Sequence, residues 1–368
     1  MKYDYLIVGS GISGIVLAER LASIGKKILI IDKKDHIGGA CYDYKCEGIL
    51  VQKYGPHIFN TKSKRVFDYL RRFTKFNDYK HRVLSYYEGR FFPIPINLNT
   101  VNKFFNINLK NEEELKNFLK DKAVVTKIIK NSEDVVLSKF GRELYEAFVK
   151  SYTKKQWDLY PSELDRSVLE RLPIRYNRNN FYFDSPFQGM PKKGFTDMFK
   201  KMLSNKNIFI KLNTPYQEIL KNVAKEIIWT GKIDEYFNYK FGTLDYRSID
   251  FLFEKLKIKS FLPNSVVNFP QEKFKFTRIT EFKKFYKIKS KKTIICKEFF
   301  TWGKEPIYPV YNKKNMDSLQ KYVKESGNEK NIHFLGRLGK YKYINIDQCV
   351  EEALNLFEKI KYDQRFGL

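Results

Sequence analysis

One segment decides the fold of this chain: residues 3–39, YDYLIVGSGISGIVLAERLASIGKKILIIDKKDHIGG. The apolar, β-rich run YLIV stops at a glycine. It is followed by GIVLAERLASIG, in which Ile15, Leu17, Leu21 and Ile24 recur at helical spacing. A second apolar run, KKILIID, ends at Asp32. The order strand, glycine turn, helix, strand predicts a βαβ unit.

The glycines of this turn are spaced as G-x-G-x-x-G, at Gly9, Gly11 and Gly14. The first permits a tight turn, the second lets a pyrophosphate approach the N-terminus of the helix, and the third lets helix and strand pack closely. Asp32 falls where a carboxylate binds the ribose hydroxyls of an adenosine. The segment therefore predicts dinucleotide binding, and the alternative is a βαβ unit with a fortuitous glycine turn.

The residues around this unit indicate which dinucleotide it binds. Gly38 and Gly39 follow closely on Asp32. This spacing resembles that of FAD proteins of the glutathione-reductase and amine-oxidase superfamily rather than that of simple NAD dehydrogenases. Thr230 and Gly231 after the apolar EIIW, and the late run NIHFLGRLGK with QCVEEALNLFEKI, resemble later segments of the same domain. The resemblance implies an FAD-binding domain assembled from the start, the middle and the end of the chain.

Composition narrows the function classes. The 368 residues carry a net charge of +27, but the lysines are scattered, which favours a solvated surface over a nucleic-acid-binding stripe. No window of 18 apolar residues predicts a membrane span, and the N-terminus reads as a strand without a signal peptide. The four cysteines lack CxxC spacing, so we expect free thiols and no metal site.

Further segments make the resemblance specific, since they follow one another in the order of one enzyme family. They are YGPHIFNT (54–61), HRVLSYYEGRFFPIPINLNTVN (81–102), SYTKKQW (151–157), PSELDRSVLERLPIR (161–175), FQGMPKKGFTDMF (187–199), TGKIDEYFNYKFGTLDYRS (230–248), FTRITEFK (276–283), YPVYN (308–312) and FLGRLGKYKYINID (334–347). From end to end the chain resembles the flavin-dependent, bacterial type of UDP-galactopyranose mutase.

The resemblance implies an isomerase that interconverts UDP-galactopyranose and UDP-galactofuranose, or a variant sugar such as UDP-N-acetylgalactosamine. In this family reduced FAD attacks the anomeric carbon through N5, UDP leaves, and the ring opens through an iminium and recloses before UDP returns. Family habit also implies a cytoplasmic homodimer that serves capsule or lipopolysaccharide biosynthesis. The competing hypothesis is an amine-oxidase-like FAD oxidoreductase.

Two arginines, Arg171 and Arg278, match the family's diphosphate clamp. The resemblance implies that these two arginines and His57 are the catalytic residues. A planar guanidinium suits the charge that develops on a leaving diphosphate. The matching substrate-binding residues are Phe148, Tyr152, Thr153, Trp157, Tyr182, Tyr308, Tyr343, Asn60 and His81. For the aromatic members the alternative role is ordinary packing, because Phe148 and Tyr152 share one face of a helix.

The cofactor-binding residues implied by the resemblance are Gly9, Gly11, Ser13, Gly14, Asp32, Gly38, Gly39, His57, Arg337 and Asn345. His57 stands in a rigid frame after Gly55 and Pro56. We expect it to tune the flavin rather than bind a metal, and the alternative is a core histidine in a stiff turn.

The chain departs from the family pattern at three positions. Asn60 replaces the usual histidine, His81 stands where many members have asparagine, and Asn345 replaces an aspartate. The first two changes alter the donors and acceptors around the sugar. Because a site built to bond particular hydroxyls discriminates strongly, these two predict that the sugar is not plain galactose. A 2-acetamido sugar, a 6-deoxy sugar or a pentose are all open.

The predicted fold class is α/β, with a discontinuous Rossmann-like FAD-binding domain, an inserted helical domain and an antiparallel β-sheet substrate domain. We expect the FAD domain at 1–74, about 210–235 and 325–368. We expect the helical domain at about 75–165 and the sheet domain at about 166–209 and 236–324.

Overall fold

A computed structural model describes residues 2–125, 128–170 and 172–366. Over these residues the chain divides into two compact units, described separately below. The first comprises Met1–Asp78, Ser185–Asp245 and Lys313–Leu368, and the second comprises Tyr79–Asp184 and Tyr246–Asn312. The helices predicted as a domain of their own lie in the second unit together with the large antiparallel sheet. The boundaries of three domains stay a prediction.

The sheets, of which the two main ones are described below, are built from strands with the following bounds. In chain order they are β1 (Tyr3–Val8), β2 (Ile28–Ile31), β3 (Asp43–Cys46), β4 (Ile49–Gln52), β5 (Phe59–Thr61), β6 (Val83–Tyr87), β7 (Arg90–Ile94), β8 (Phe187–Gly189), β9 (Ile208–Lys211), β10 (Ala224–Trp229), β11 (Tyr246–Leu256), β12 (Val266–Asn268), β13 (Arg278–Glu281), β14 (Thr293–Trp302), β15 (Tyr308–Pro309) and β16 (Ile332–Phe334).

The α-helices pack on these sheets or form a cluster of their own. They are α1 (Ile12–Ser23), α2 (Lys64–Arg71), α3 (Leu98–Phe105), α4 (Glu112–Lys122), α5 (Ser132–Tyr145), α6 (Ser151–Trp157), α7 (Ser167–Glu170), α8 (Phe195–Met202), α9 (Ile233–Tyr236), α10 (Lys313–Ser326), α11 (Gly336–Gly339) and α12 (Ile346–Phe366). No helix within the described residues is long and apolar enough to cross a bilayer.

The first unit is built on a five-stranded parallel sheet in the order β16-β10-β1-β2-β9. β2, with the sequence ILII, is buried along its whole length, as expected for a parallel strand covered on both faces. Strands from the start, the middle and the end of the chain pair in this one sheet. The prediction of a discontinuous Rossmann-like fold is thereby confirmed.

The second unit contains a seven-stranded sheet in the order β15-β11-β14-β13-β12-β6-β7. Its pairs are antiparallel except for β12 and β6, which run parallel. The helical cluster of this unit follows capping chemistry, since α3, α4 and α5 begin after Asn97, Asn111 and Asn131. Each asparagine side chain accepts a hydrogen bond from a main-chain N–H of the first turn.

Candidate active site

The glycine turn after β1 has the close contacts that its spacing predicts. Gly9 has a φ of +107°, and a Cβ there would lie 2.1 Å from the Thr230 hydroxyl oxygen. A Cβ on Gly14 would lie 2.4 Å from the carbonyl oxygen of Gly9. Both positions therefore need glycine for the turn itself, whatever it binds.

Gly11 differs from its two neighbours in the motif. Its backbone is extended, with φ −73° and ψ 174°, and it caps α1 without any side-chain hydrogen bond. A Cβ placed on it meets no atom within 4 Å. The approach to the N-terminus of α1 is thus open, as a bound pyrophosphate requires. Gly38 and Gly39 flank it, with the Gly38 N–H donating to the carbonyl of Ser10.

Asp32 organises the turn from the end of β2. Its Oδ2 accepts hydrogen bonds from the N–H and the hydroxyl of Ser10 at 2.7 and 2.6 Å, and its Oδ1 accepts from the Lys34 N–H at 3.0 Å. A carboxylate has about four acceptor positions. One remaining position fits a ribose hydroxyl, so the turn, the open helix end and Asp32 together fit a dinucleotide.

Two more predicted cofactor residues, Arg337 and Asn345, lie near the end of the chain, and a third, Ser13, contacts that region. Arg337 donates through Nη2 to the Ile344 carbonyl at 2.7 Å, and its guanidinium lies 5.0 Å from the ring centroid of Tyr343. Asn345 directly precedes α12, and its N–H donates to Gln348 Oε1 at 2.8 Å. Ser13 joins α1 to α12 through the carbonyl of Cys349, at 3.5 Å. These residues and the glycine turn belong to the same unit.

The histidine loop is held by a residue that the sequence analysis missed. The Gln52 side chain accepts from the His57 N–H at 2.8 Å and donates to the His57 carbonyl at 2.9 Å. The Nδ1 of His57 lies 3.0 Å from the carbonyl oxygen of Gly55. Because a carbonyl only accepts, Nδ1 carries a proton, and in the neutral ring Nε2 is then an acceptor. Nothing in the order of the residues marks Gln52, since its bonds depend on how β4 meets the loop.

Asn60, the first departure from the family pattern, lies on β5 opposite Gln188 of β8. Its Oδ1 accepts from the Ser185 hydroxyl at 3.0 Å. This bond orients the amide and leaves its NH₂ group as a donor.

In the second unit, Arg278 is the centre of a charged cluster. Its Nε lies 2.7 Å from Oε2 of Glu298, whose side chain is completely buried, while a quarter of the arginine side chain is exposed. Burial alone favours the neutral form, but the Glu298 carboxylate raises the pKa of Arg278 well above its ordinary value. Sequence analysis missed Glu298, although a glutamate inside the apolar strand TIICKEFF signals a buried partner.

Three predicted tyrosines approach this pair. Burial raises the pKa of Tyr152, an effect that the charge of Arg278 opposes, and Tyr152 also interacts electrostatically with Tyr182 and Tyr308. Arg278, Tyr182 and Tyr308 are therefore near enough to Tyr152 to interact with it electrostatically, and the role of these residues as a diphosphate clamp stays a prediction.

His81 lies beside the same cluster. It is 5% exposed, and its Nδ1 lies 2.9 Å from the Tyr79 hydroxyl, which lies 2.5 Å from the hydroxyl of Ser265. Burial, and then the positive charge of Arg278, lowers the pKa of His81 to about 3. The ring is therefore neutral at any physiological pH and acts as a hydrogen-bonding group.

Three of the predicted substrate-binding residues, in α6 and just before it, are deeply packed. Phe148, Thr153 and Trp157 are 7%, 3% and 5% exposed. The ring of Phe148 contacts those of Phe92 and Phe104 at 5.3 and 5.4 Å between centroids. Their packing role is visible, and their role in substrate binding stays a prediction. Arg171 lies outside the described residues.

Comparison with known proteins shows which family this chain is similar to. A family model described as UDP-galactopyranose mutase matches residues 147–343, and one described as an NAD(P)-binding Rossmann-like domain matches residues 7–73. The probable UDP-galactopyranose mutase of Klebsiella pneumoniae is 38% identical over 95% of this chain and 93% of that protein. The dTDP-fucopyranose mutase of Escherichia coli is 35% identical over 95% of this chain and 96% of its own length.

The fold is also similar to a solved one. A crystal structure of reduced UDP-galactopyranose mutase superposes with a TM-score of 0.75 at 16% identity, and covers 98% of this chain and 94% of that chain. This similarity concerns the fold, and the sequence matches carry the relationship.

Proposed function

Because this chain belongs to the UDP-galactopyranose mutase family, we propose that it interconverts the pyranose and furanose forms of a UDP-sugar while it holds reduced FAD. It is an isomerase of that family, and the amine-oxidase hypothesis has no comparable support. The observation that carries the proposal is the charged cluster around Arg278, which suits a diphosphate better than an amine.

The cluster fits departure of a nucleoside diphosphate. Negative charge develops on the leaving phosphate, and a donor that is already fixed stabilises it without reorganisation. The ion pair with Glu298 orients the guanidinium of Arg278, which is charged at every physiological pH. Tyr152 and Tyr308 add hydroxyl donors. Burial raises the pKa of Tyr152 and so keeps its hydroxyl protonated. Arg171 would provide the second cation of the clamp.

The cofactor proposal rests on the first unit. Gly11 and the open N-terminus of α1 would bind the pyrophosphate, Asp32 the ribose, and Arg337 the flavin half. When bound, the reduced flavin supplies the nucleophile that displaces UDP from the sugar. His57, held by Gln52, would accept a hydrogen bond through Nε2 and so set the electronic state of that group.

The sugar is set, in this proposal, by the polar residues at which the chain departs from the family. Asn60 offers an oriented NH₂ donor, and His81 is a neutral hydrogen-bonding ring. One relative of this chain is named a dTDP-fucopyranose mutase, so a 6-deoxy sugar belongs beside UDP-galactose and UDP-N-acetylgalactosamine among the candidates. Homodimer formation and a cytoplasmic location stay predictions from family membership.

One experiment tests the function. The purified protein is loaded with FAD, reduced with dithionite and incubated with UDP-galactopyranose, UDP-N-acetylgalactosamine, dTDP-fucopyranose or UDP-arabinopyranose, and ring forms are separated by chromatography. We expect exchange only after reduction, and strongly reduced exchange in Arg278→Ala. Oxygen consumption with putrescine and no sugar exchange would support the oxidase instead. A clear preference for UDP-galactose would keep the mutase and remove the altered-substrate hypothesis.

A further inference from the structure

Lys155 has an unusual environment for a lysine next to the substrate-binding residues of α6. Its ammonium lies within 3.2 Å of four main-chain carbonyl oxygens, those of Phe269, Gln271, Phe274 and Phe276. An ammonium has only three protons, so the four carbonyl oxygens cannot each accept a separate hydrogen bond. They surround the positive charge as carbonyl oxygens surround a bound cation. All four belong to one connecting segment, residues 269–276.

This connecting segment leads directly into the charged cluster. It joins β12 to β13, and Arg278 is the first residue of β13. A second bond to α6 comes from the Ser151 hydroxyl, which donates to Glu272 at 3.1 Å. The segment has little regular structure of its own, so its conformation depends on what it is tied to.

The helix that carries Lys155 is itself fixed. Arg247 on β11, 3% exposed, donates through Nε to the Gln156 carbonyl at 2.9 Å and through Nη2 to the Lys155 carbonyl at 3.3 Å. The C-terminal turn of α6 is thereby held against the sheet. The Lys155 ammonium thus ties the connecting segment to a helix that is itself anchored to the sheet.

We propose that Lys155 is a positioning residue for the diphosphate clamp: its ammonium holds residues 269–276, and with them Arg278, in register with Tyr152 on α6. The inference rests on the proposed function of Arg278 and Tyr152. Lys155 lies one helical turn beyond Tyr152, so one short helix presents a ligand-binding hydroxyl and also anchors the strand that carries the cation.

The charge of Lys155 matters to this role, because a neutral amine has two protons and no charge with which to hold the carbonyls. Burial lowers the pKa of Lys155 to about 8, and Glu272 opposes that effect. Of the other charged groups around it, Arg247 of β11 contacts the helix carbonyls, and Lys154 is turned toward the carbonyl of Asp158. The clamp should therefore loosen as the pH rises through about 8.

The test uses UDP itself as the probe, with binding followed by calorimetry on the full chain. We expect Lys155→Ala to weaken UDP binding at least tenfold, and ethylammonium chloride to restore part of the affinity by filling the space left by the lysine side chain. Lys154→Ala is the matched control, since the Lys154 ammonium bonds to Asp158 at the end of its own helix and does not contact residues 269–276 in any described hydrogen bond. The UDP affinity of this variant should stay within twofold of wild type.

A Lys155→Ala protein that melts at a lower temperature but binds UDP as well as wild type would show that the lysine only stabilises the fold, and would overturn the inference. If that variant does not fold, the wild type decides: UDP affinity should fall between pH 7.0 and 9.5, and a flat profile overturns the proposal. A wild type that binds no UDP at pH 7.0 contradicts the proposed function itself, which is a distinguishable result.

Discussion

Arg278 and Glu298 stand opposite each other on neighbouring strands, with Nε and Oε2 only 2.7 Å apart and the carboxylate fully buried. A buried pair is worth little as a pair, but removing one member leaves an uncompensated charge. Glu298→Gln should therefore lower the free energy of unfolding by about 3–5 kcal/mol. Urea denaturation measures this loss.

The double variant Arg278→Met with Glu298→Gln is the control for that prediction. It removes the charge as well as its partner, so it should be more stable than Glu298→Gln alone. A double variant that loses the sum of both single effects would show that the two residues act independently.

A substitution at Gly11 should affect cofactor binding without affecting folding. Gly11→Ala adds a methyl group where no atom lies within 4 Å and where the backbone is extended, so stability without cofactor should change by less than about 0.5 kcal/mol. The same methyl would occupy the space before the helix N-terminus, and FAD content, measured from the flavin absorbance, should fall steeply. Gly14→Ala, which meets a carbonyl at 2.4 Å, should instead impair folding. Full FAD occupancy in Gly11→Ala would contradict the cofactor assignment.

Gln52 tests whether the orientation of His57 matters. Gln52→Leu removes both bonds to the His57 backbone and should destabilise the protein by about 1–3 kcal/mol. It should also shift the reduction potential of the bound flavin in the same direction as His57→Ala. Gln52→Glu keeps the acceptor for the His57 N–H and should show a smaller effect. An unchanged potential in both Gln52→Leu and His57→Ala would mean that this loop does not influence the flavin.

His81 predicts a pH dependence of stability. Its pKa is about 3 when folded and about 6.5 when unfolded, so the unfolded chain binds more protons between these values. The stability that the neutral, buried ring contributes is complete above pH 6.5 and is lost as the pH falls toward 3. At pH 5.0 the free energy of unfolding should already be lower by about 2 kcal/mol. Urea midpoints at pH 7.5 and 5.0 should therefore differ less in His81→Asn than in wild type, and equal differences would contradict the buried, neutral histidine.

Much of the fold follows from local pattern. The βαβ unit is visible in the order of apolar residues, since periods of 2 and 3.6 select strand and helix. The glycine motif predicts the turn, and the contacts of Gly9 and Gly14 give the steric reason. The resemblance of short segments to those of the family indicates Arg278, Tyr152 and Tyr308, but the proximity of these residues depends on how their strands and helix pack.

What the sequence determined by itself is the set of local elements and the kinds of side chain at the site. Which groups meet follows from the folded arrangement alone: Gln52 meets His57, Glu298 meets Arg278, and Lys155 meets the carbonyls of residues 269–276. Each of these pairs joins separate elements through burial and hydrogen bonding. None of these three interactions has a periodicity along the chain, so all three depend on how helices, strands and loops come together when the chain folds.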